Sequence, residues 1–155
     1  MKITIHRGTH QIGGTVIELE EDGFRILLDT GLPLEDSSAS LPKSLDTNGI
    51  KAVLLSHGHP DHYGLINQLP ESIPVYMTEG TSKSLLTAAV FAGAKSIPRE
   101  RQHTIYPSKE FQLGPFTVTA HSVDHSAFDS VAFSVQSGGK HLLYTGDLRA
   151  HGRKP

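Results

Sequence analysis

The stretch His57-Gly58-His59-Pro60-Asp61-His62 is the most informative part of this chain, because it places three imidazoles and one carboxylate within six residues. A metal site built without thiolates needs such ligands on short, stiff backbone. His57 and His59, separated by one residue, can point towards one ion, while Asp61 and His62 on the following turn can face a second. The alternative interpretation is a polar loop that holds its histidines by chance.

The composition narrows the chemistry that these residues can perform. The chain has no cysteine, so disulfides, thiolate metal sites and thiol nucleophiles are excluded, and His, Asp and Glu remain as the strong ligands. The net charge of −2 provides no global positive field, so any site for a polyanion must be local. Residues 1–8 include no apolar stretch of signal-peptide length, and no window approaches the roughly 18 apolar residues of a membrane span, which predicts a cytoplasmic chain with no membrane partner.

The length of 155 residues fits one domain, residues 1–155, and hydrophobic periodicity predicts its strands and helices. Strands are predicted at 2–7, 15–20, 24–28, 51–55, 75–77, 116–121, 131–136 and 140–144. Helices are predicted at 63–69 and 81–91, ended by Pro70 and Gly93 respectively. The polar stretch 100–109 predicts a loop, and the long segment 32–49 predicts a loop of the kind that often carries function.

Two predicted strands end at polar residues. The apolar strand 24–28 is predicted to be central and leads directly into Asp29-Thr30-Gly31. The strand 51–55 ends at Ser56, where the histidine run begins. Because sheet folds tend to place chemistry at the carboxyl ends of their strands, both segments are candidate site positions.

The histidine run, preceded by its apolar strand, resembles the H-x-H-x-D-H signature of the metallo-β-lactamase superfamily, and the resemblance extends from about residue 1 to residue 150. It implies an α/β (α+β) fold, the four-layered αββα sandwich. Asp29, in Leu27-Leu28-Asp29-Thr30-Gly31, matches the family's first motif, whose Asp supports the metal site from outside the ligand set. Asp147, in Tyr144-Thr145-Gly146-Asp147, matches the Asp that bridges two ions.

The superfamily requires one further histidine, and both His121 and His125 stand in the right part of the chain. The segment 125–133 is similar to the H-S-x-x-D-S segment of the ribonuclease J type, with matching spacing into the next strand. The resemblance therefore favours His125 as the ligand. His121 remains the alternative ligand. If it is not a ligand, it would be a strand-end residue that hydrogen-bonds to the site.

The resemblance implies a two-metal hydrolase. His57, His59 and His125 would hold one ion, Asp61 and His62 the other, and Asp147 would bridge them. Zn²⁺ suits these ligands best, although Mn²⁺ and iron are also accepted. A hydroxide held between two ions about 3.5–4 Å apart would be the nucleophile. Asp61 and Asp29 are the candidate catalytic residues: Asp61 would orient that hydroxide or take its proton, and Asp29 would hold the geometry.

Three functions follow from this interpretation. The similarity to ribonuclease J and the β-CASP nucleases, seen at 125–133 and 144–149, suggests phosphodiester hydrolysis of RNA or DNA. A basic cluster, Arg149, His151, Arg153 and Lys154, could dock a phosphate or could be a solvated surface. The alternatives are a thioester, lactone or lactam hydrolase of the same fold, and a metal-binding fragment without turnover.

The chain ends eight residues after Asp147, whereas members of the superfamily normally continue to a last histidine that completes the second metal site. We therefore expect an N-terminal part of the fold, truncated before the last metal-ligand motif and completed by another segment or subunit. His151 could stand in for that last ligand, although a loop position near the site is the simpler expectation.

Overall fold

The computed structural model describes residues 1–93 and 95–151, which form two sheets and two α-helices. The strands are β1 (Lys2–Arg7), β2 (Val16–Glu21), β3 (Phe24–Leu28), β4 (Ile50–Leu54), β5 (Val75–Thr78), β6 (Gln102–Ile105), β7 (Glu110–Leu113), β8 (Phe116–Ser122), β9 (Val131–Ser137) and β10 (Lys140–Tyr144). The helices are α1 (Pro60–Tyr63) and α2 (Glu79–Ala92), and 3-10 turns occur at Ile66–Gln68 and Arg99–Arg101.

The larger sheet has six strands in the order β1 to β6, and its second half is parallel. Strand β3 pairs in parallel with β4, so their carboxyl ends meet at one edge of the sheet. Ile26, Leu27 and Leu28 are fully buried, as expected for a central strand. Asp29 and the segment that begins at Ser56 therefore emerge side by side, which brings together motifs that lie far apart in the sequence.

The smaller sheet, in the order β10-β9-β8-β7, packs on the first through a shared apolar core. Phe116, Val118 and Ala120 on β8 alternate with more exposed residues, as a strand with one core face requires. The opposite face of the six-stranded sheet is covered by a second core that includes Leu85 of α2. The described residues thus supply a helical layer and both sheets of the expected sandwich. In this part of the chain, no helix has the length and apolar character needed to cross a membrane.

Eight predicted strands are confirmed, with ends that differ by no more than one residue, but two local predictions are wrong. Instead of one helix over 63–69, the chain makes the short α1 and a separate 3-10 turn. At Gly64, where α1 ends, an added Cβ would lie 2.6 Å from the Leu32 side chain, so this segment is pressed against a neighbouring loop. Residues 102–105, predicted as loop, form the edge strand β6, because pairing with β5 supplies its backbone hydrogen bonds. Its polar, mostly exposed sequence lacks the apolar alternation that predicts a strand.

Away from the strand ends, a nearly buried carboxylate joins β1, β2 and β3. Glu18 accepts hydrogen bonds from Arg25 Nε at 2.9 Å and Nη2 at 2.7 Å, and its Oε2 lies 3.1 Å from Nε2 of His6. The hydrogen bond from Arg25 is the largest influence, and it lowers the pKa of Glu18 below its ordinary value of 4.5. Burial, the next largest influence, raises the pKa, whereas the bond to His6 lowers it further. The ionised form of Glu18 therefore stabilises the folded sheet.

We expect Glu18→Gln to lower the free energy of unfolding at neutral pH and to have less effect in acid. A carboxyl whose pKa is depressed by folding contributes stability above its unfolded pKa, near 4.5, and loses it as the pH falls through the lower folded value. Urea unfolding of both chains in chelator, from pH 7 down to pH 3, measures this difference. A difference in the free energy of unfolding that stays constant from pH 7 to pH 3 would contradict the expectation.

Candidate metal centre

The segment 60–62 is clamped to the strand ends by backbone hydrogen bonds. The Thr30 N–H donates to the His62 carbonyl at 2.8 Å, and the Leu32 N–H donates to the Pro60 carbonyl at 3.0 Å. On the other side the Thr15 N–H donates to the Asp61 carbonyl at 3.2 Å. This tight approach also explains the Gly of Asp29-Thr30-Gly31, because a side chain at Gly31 would collide with the Asp61 backbone.

Asp29 is fully buried and accepts four hydrogen bonds, although it lies in the left-handed region at φ 58°. Its Oδ1 accepts the Ser56 N–H at 2.8 Å. Its Oδ2 accepts the Ser56 hydroxyl at 2.7 Å, the Tyr144 hydroxyl at 2.5 Å and Nδ1 of His62 at 2.6 Å. Burial alone opposes ionisation, but the hydrogen bond and charge of His62 outweigh it and hold the pKa of Asp29 below its ordinary value.

These bonds determine which ring nitrogens are free on two histidines. The Ser56 hydroxyl has one proton and donates it to Asp29, so its 3.0 Å bond to Nδ1 of His57 requires that Nδ1 carries a proton. Nδ1 of His62 likewise donates to the carboxylate of Asp29. In both rings Nε2 is then the nitrogen directed away from Asp29 and available as a ligand.

His57 is the most deeply buried of these rings, with 1% of its surface exposed. Its Nε2 is buried and makes no hydrogen bond to any residue that the structure describes. Burial, followed by the charge of His62, lowers the pKa of His57 to about 3, so the ring is neutral at physiological pH. For His62 burial acts in the same direction, but the bond to Asp29 prevails and raises the pKa.

Two groups of ligand atoms, each lying within 4.8 Å of one another, meet at this point. One group comprises His57, His59 and His125, and the other comprises His57, His62 and Asp147. In the first, Nε2 of His125 lies 3.1 Å from Nδ1 of His59. In the second, Asp147 Oδ1 lies 3.4 Å from Nε2 of His62, and Oδ2 of the same carboxylate lies 3.7 Å from Nε2 of His125. Asp147 thus stands between the groups, and His57 belongs to both.

Asp61 lies beside these groups rather than within them. Its Oδ2 is 3.7 Å from Nε2 of His62. The loop that precedes β2 closes over it, since a Cβ on Gly13 would lie 2.7 Å from Asp61 Oδ2. The carboxylate therefore faces the second group of ligands from the side of the Gly13 loop.

The structure also places the remaining candidates. His121 projects from β8 to hydrogen-bond Ser134 at 2.8 Å and is exposed, whereas His125 lies among the ligand atoms. His151 is exposed and joins neither group. Arg149, from the basic cluster, pairs with Asp124 at 2.8 Å, while Arg153 and Lys154 lie outside the described residues.

Two contributors to the centre were not assigned roles from the sequence, Ser56 and Tyr144. Ser56 links Asp29 to His57, and Tyr144 reaches Asp29 from the end of β10. Burial, followed by the charge of Asp29, raises the pKa of Tyr144 well above 10, so its hydroxyl remains a donor. The only sequence signal was their position, directly before His57 and just before Thr145-Gly146-Asp147.

Comparison with known proteins identifies the family. Residues 24–154 match a family model described as a beta-lactamase superfamily domain. The chain belongs to the metallo-β-lactamase superfamily. Its members are metal-dependent hydrolases, and the predicted fold class is confirmed by solved structures of the metallo-β-lactamase fold.

Two curated relatives differ in their described roles. Ribonuclease J of Sinorhizobium meliloti is 32% identical over 103 residues, covering 64% of this chain and 18% of the relative. The lactamase-like protein adaB of Aspergillus niger is 32% identical over 149 residues, covering 94% of this chain and 42% of the relative. The chain thus spans less than half the length of either protein.

Solved structures show the same architecture. A protein of unknown function from Enterococcus faecalis V583 superposes with a TM-score of 0.78 at 26% identity, over 97% of this chain and 44% of that one. The Zn²⁺-bound PqqB of Methylobacterium extorquens superposes with a TM-score of 0.63 at 24% identity, over 86% of this chain and 52% of that one.

Proposed function

We propose that this superfamily member carries the metal centre of a metal-dependent phosphodiesterase that acts on RNA or DNA. The observation that supports the metal centre is the buried Nε2 of His57, which has no hydrogen-bond partner among the described residues, on a residue that belongs to both groups of candidate ligands. A buried polar atom without a partner is costly, and binding a cation removes that cost.

The donor set fits a divalent cation. Ligands about 2.0–2.1 Å from a tetrahedral zinc lie about 3.3 Å from one another. The separations of 3.1 Å for His125 and His59 and of 3.4 Å for His62 and Asp147 are close to that spacing. Imidazole and carboxylate donors favour Zn²⁺, with Mn²⁺ and iron as alternatives, and the PqqB relative is described as Zn²⁺-bound.

In this proposal His57, His59 and His125 hold one cation, and His62 and Asp147 hold a second, assisted by Asp61. A cation at this position supplies Lewis acidity and lowers the pKa of water towards 7. Asp61 accepts the proton of the attacking water, since its Oδ2 lies beside the second group and is held there by the Gly13 loop. Asp29 positions both buried rings, directly for His62 and through Ser56 for His57.

A nucleic-acid substrate is supported by the relatives named ribonuclease J, one of which aligns with 96% of this chain. The described surface adds little, because Arg149 is already paired with Asp124 and the net charge is −2. The adaB relative supports the second candidate, a hydrolase of small molecules in the same centre. The substrate proposal thus depends on relatives and the metal proposal on geometry, so they need separate tests.

We expect the zinc- or manganese-loaded chain to cleave a single-stranded RNA or DNA oligomer and to leave a thioester and a lactone intact. Gel analysis of labelled oligomers, beside colorimetric assays of the small substrates, measures the preference. His59→Ala, which removes one ligand, is the inactive control, and His121→Ala, an exposed histidine outside the centre, is the matched active control. Cleavage of the small substrates alone would favour the second candidate.

A further inference from the structure

The segment that carries His125 is joined to the beginning of α2 by Asp129. The Gly80 N–H donates to Asp129 Oδ2 at 3.0 Å, and the Thr78 hydroxyl donates to the Asp129 carbonyl at 2.9 Å. Thr78 is also the N-cap of α2, accepting the Thr81 N–H at 3.2 Å. The helix start and the 125–130 segment therefore share one set of hydrogen bonds, which we call the Asp129 clamp (Thr78, Gly80 and Asp129).

The residue types of the clamp are specified by sterics. A Cβ on Gly80 would lie 2.7 Å from both Asp129 Oδ2 and Cε1 of Phe128, so only glycine allows this close approach. Asp129 itself has φ 62°, a left-handed conformation that Asp and Asn adopt more readily than other side chains. Its carboxylate also lies at the helix end that favours negative charge. Metal coordination accounts for neither residue.

The clamp secures one end of a segment whose other end is already held. There the Arg149 guanidinium bonds to Asp124 Oδ1 at 2.8 Å and to the His125 carbonyl at 3.3 Å. Between these anchors His125 lies on irregular backbone, three residues beyond the end of β8. A ligand carried by a loop keeps its geometry only when the loop is held from outside the site.

We propose that Asp129 is a positioning residue that holds His125 against His59 by tying its segment to α2. This inference rests on the proposed metal centre, since it assigns Asp129 a role in the affinity of the cation held by His57, His59 and His125. Asp129 lies outside both ligand groups and acts only through the backbone that it restrains.

Zinc affinity measured by chelator competition tests the clamp. Asp129→Ala is expected to weaken binding at this group about 10- to 100-fold, the usual consequence of losing a partner outside the ligand set. Asp129→Asn should retain most of the affinity, because its amide oxygen can still accept the Gly80 N–H and asparagine tolerates the left-handed region. Gly80→Ala should reproduce the loss by pushing the segment away. Faster amide hydrogen exchange at Gly80 in metal-free Asp129→Ala would report the broken bond directly.

A matched control separates positioning from helix stability. Ala88→Gly weakens the same helix at an exposed site far along it from the clamp, and should leave zinc affinity unchanged. The clamp is overturned if Asp129→Ala binds zinc as tightly as the unchanged chain, or if Ala88→Gly loses as much affinity. Failure of the unchanged chain to bind zinc at all would instead overturn the metal centre, and the clamp's role with it.

Discussion

Replacing Asp29 with alanine is expected to lower the free energy of unfolding of the metal-free chain by about 3–5 kcal/mol, the usual cost of removing one member of a buried, charged pair. The carboxylate is fully buried and accepts hydrogen bonds from Ser56, Tyr144 and His62. Alanine leaves all of these donors without their acceptor. It also has no side-chain oxygen to offset the left-handed backbone at φ 58°.

Urea unfolding in the presence of a chelator measures this cost, because it separates the structural role of Asp29 from any loss of metal. Asp147→Ala is the matched control. Its carboxylate is 47% exposed, so the substitution should change the stability of the metal-free chain by no more than about 0.5 kcal/mol. If Asp29→Ala were as stable as Asp147→Ala, the hydrogen bonds that Asp29 accepts at the strand ends would not stabilise the fold.

Asp29 also illustrates what the sequence could and could not predict. Its position at the end of an apolar strand made it a candidate site residue, and the family resemblance implied a supporting role. Its partners could not be identified in the same way, because Tyr144 lies 115 residues away and reaches it only when the two sheets pack. A tyrosine that ends an alternating strand has no local feature that distinguishes it from a core residue.

The errors in the predicted elements have the same origin. The strand β6 has His103 and Thr104 exposed, so its sequence lacks the apolar alternation that predicts a strand, and it forms because β5 offers an unpaired edge. The segment 63–69 has helix-compatible residues, but contacts of Gly64 with the Leu32 loop favour a short helix and a turn. Central strands such as β3 and β4 were predictable because most of their residues are buried, and burial requires apolar side chains.

The histidine run was predictable as a cluster but not in its internal arrangement. The spacing predicts that His57 and His59 serve one ion while Asp61 and His62 face another. The structure adds that His57 belongs to both ligand groups and that its Nδ1 is engaged by Ser56, which leaves Nε2 as its free nitrogen. Two other chain segments meet at His57: one carries His125, whose ring centroid lies 4.6 Å from that of His57, and the other carries Asp147.

His57→Ala is therefore expected to weaken zinc binding at both groups, each by more than about a hundredfold, beyond the 10- to 100-fold that the loss of an outer partner costs. His59→Ala should remove only the site that includes His125, and Asp147→Ala only the site that includes His62. Zinc titration of each variant after chelator treatment, with metal content counted per chain, separates these outcomes.

The comparison is informative because the three variants differ in burial as well as in ligand membership. His57 is 1% exposed, so its variant must first be shown to fold in chelator by circular dichroism, whereas the partly exposed His59 and Asp147 carry less structural risk. A His57 variant that folds and still binds one zinc as tightly as the unchanged chain would mean that one group forms without the shared nitrogen. In that case the buried Nε2 would be explained by packing, and the two sites would be independent rather than joined through one imidazole.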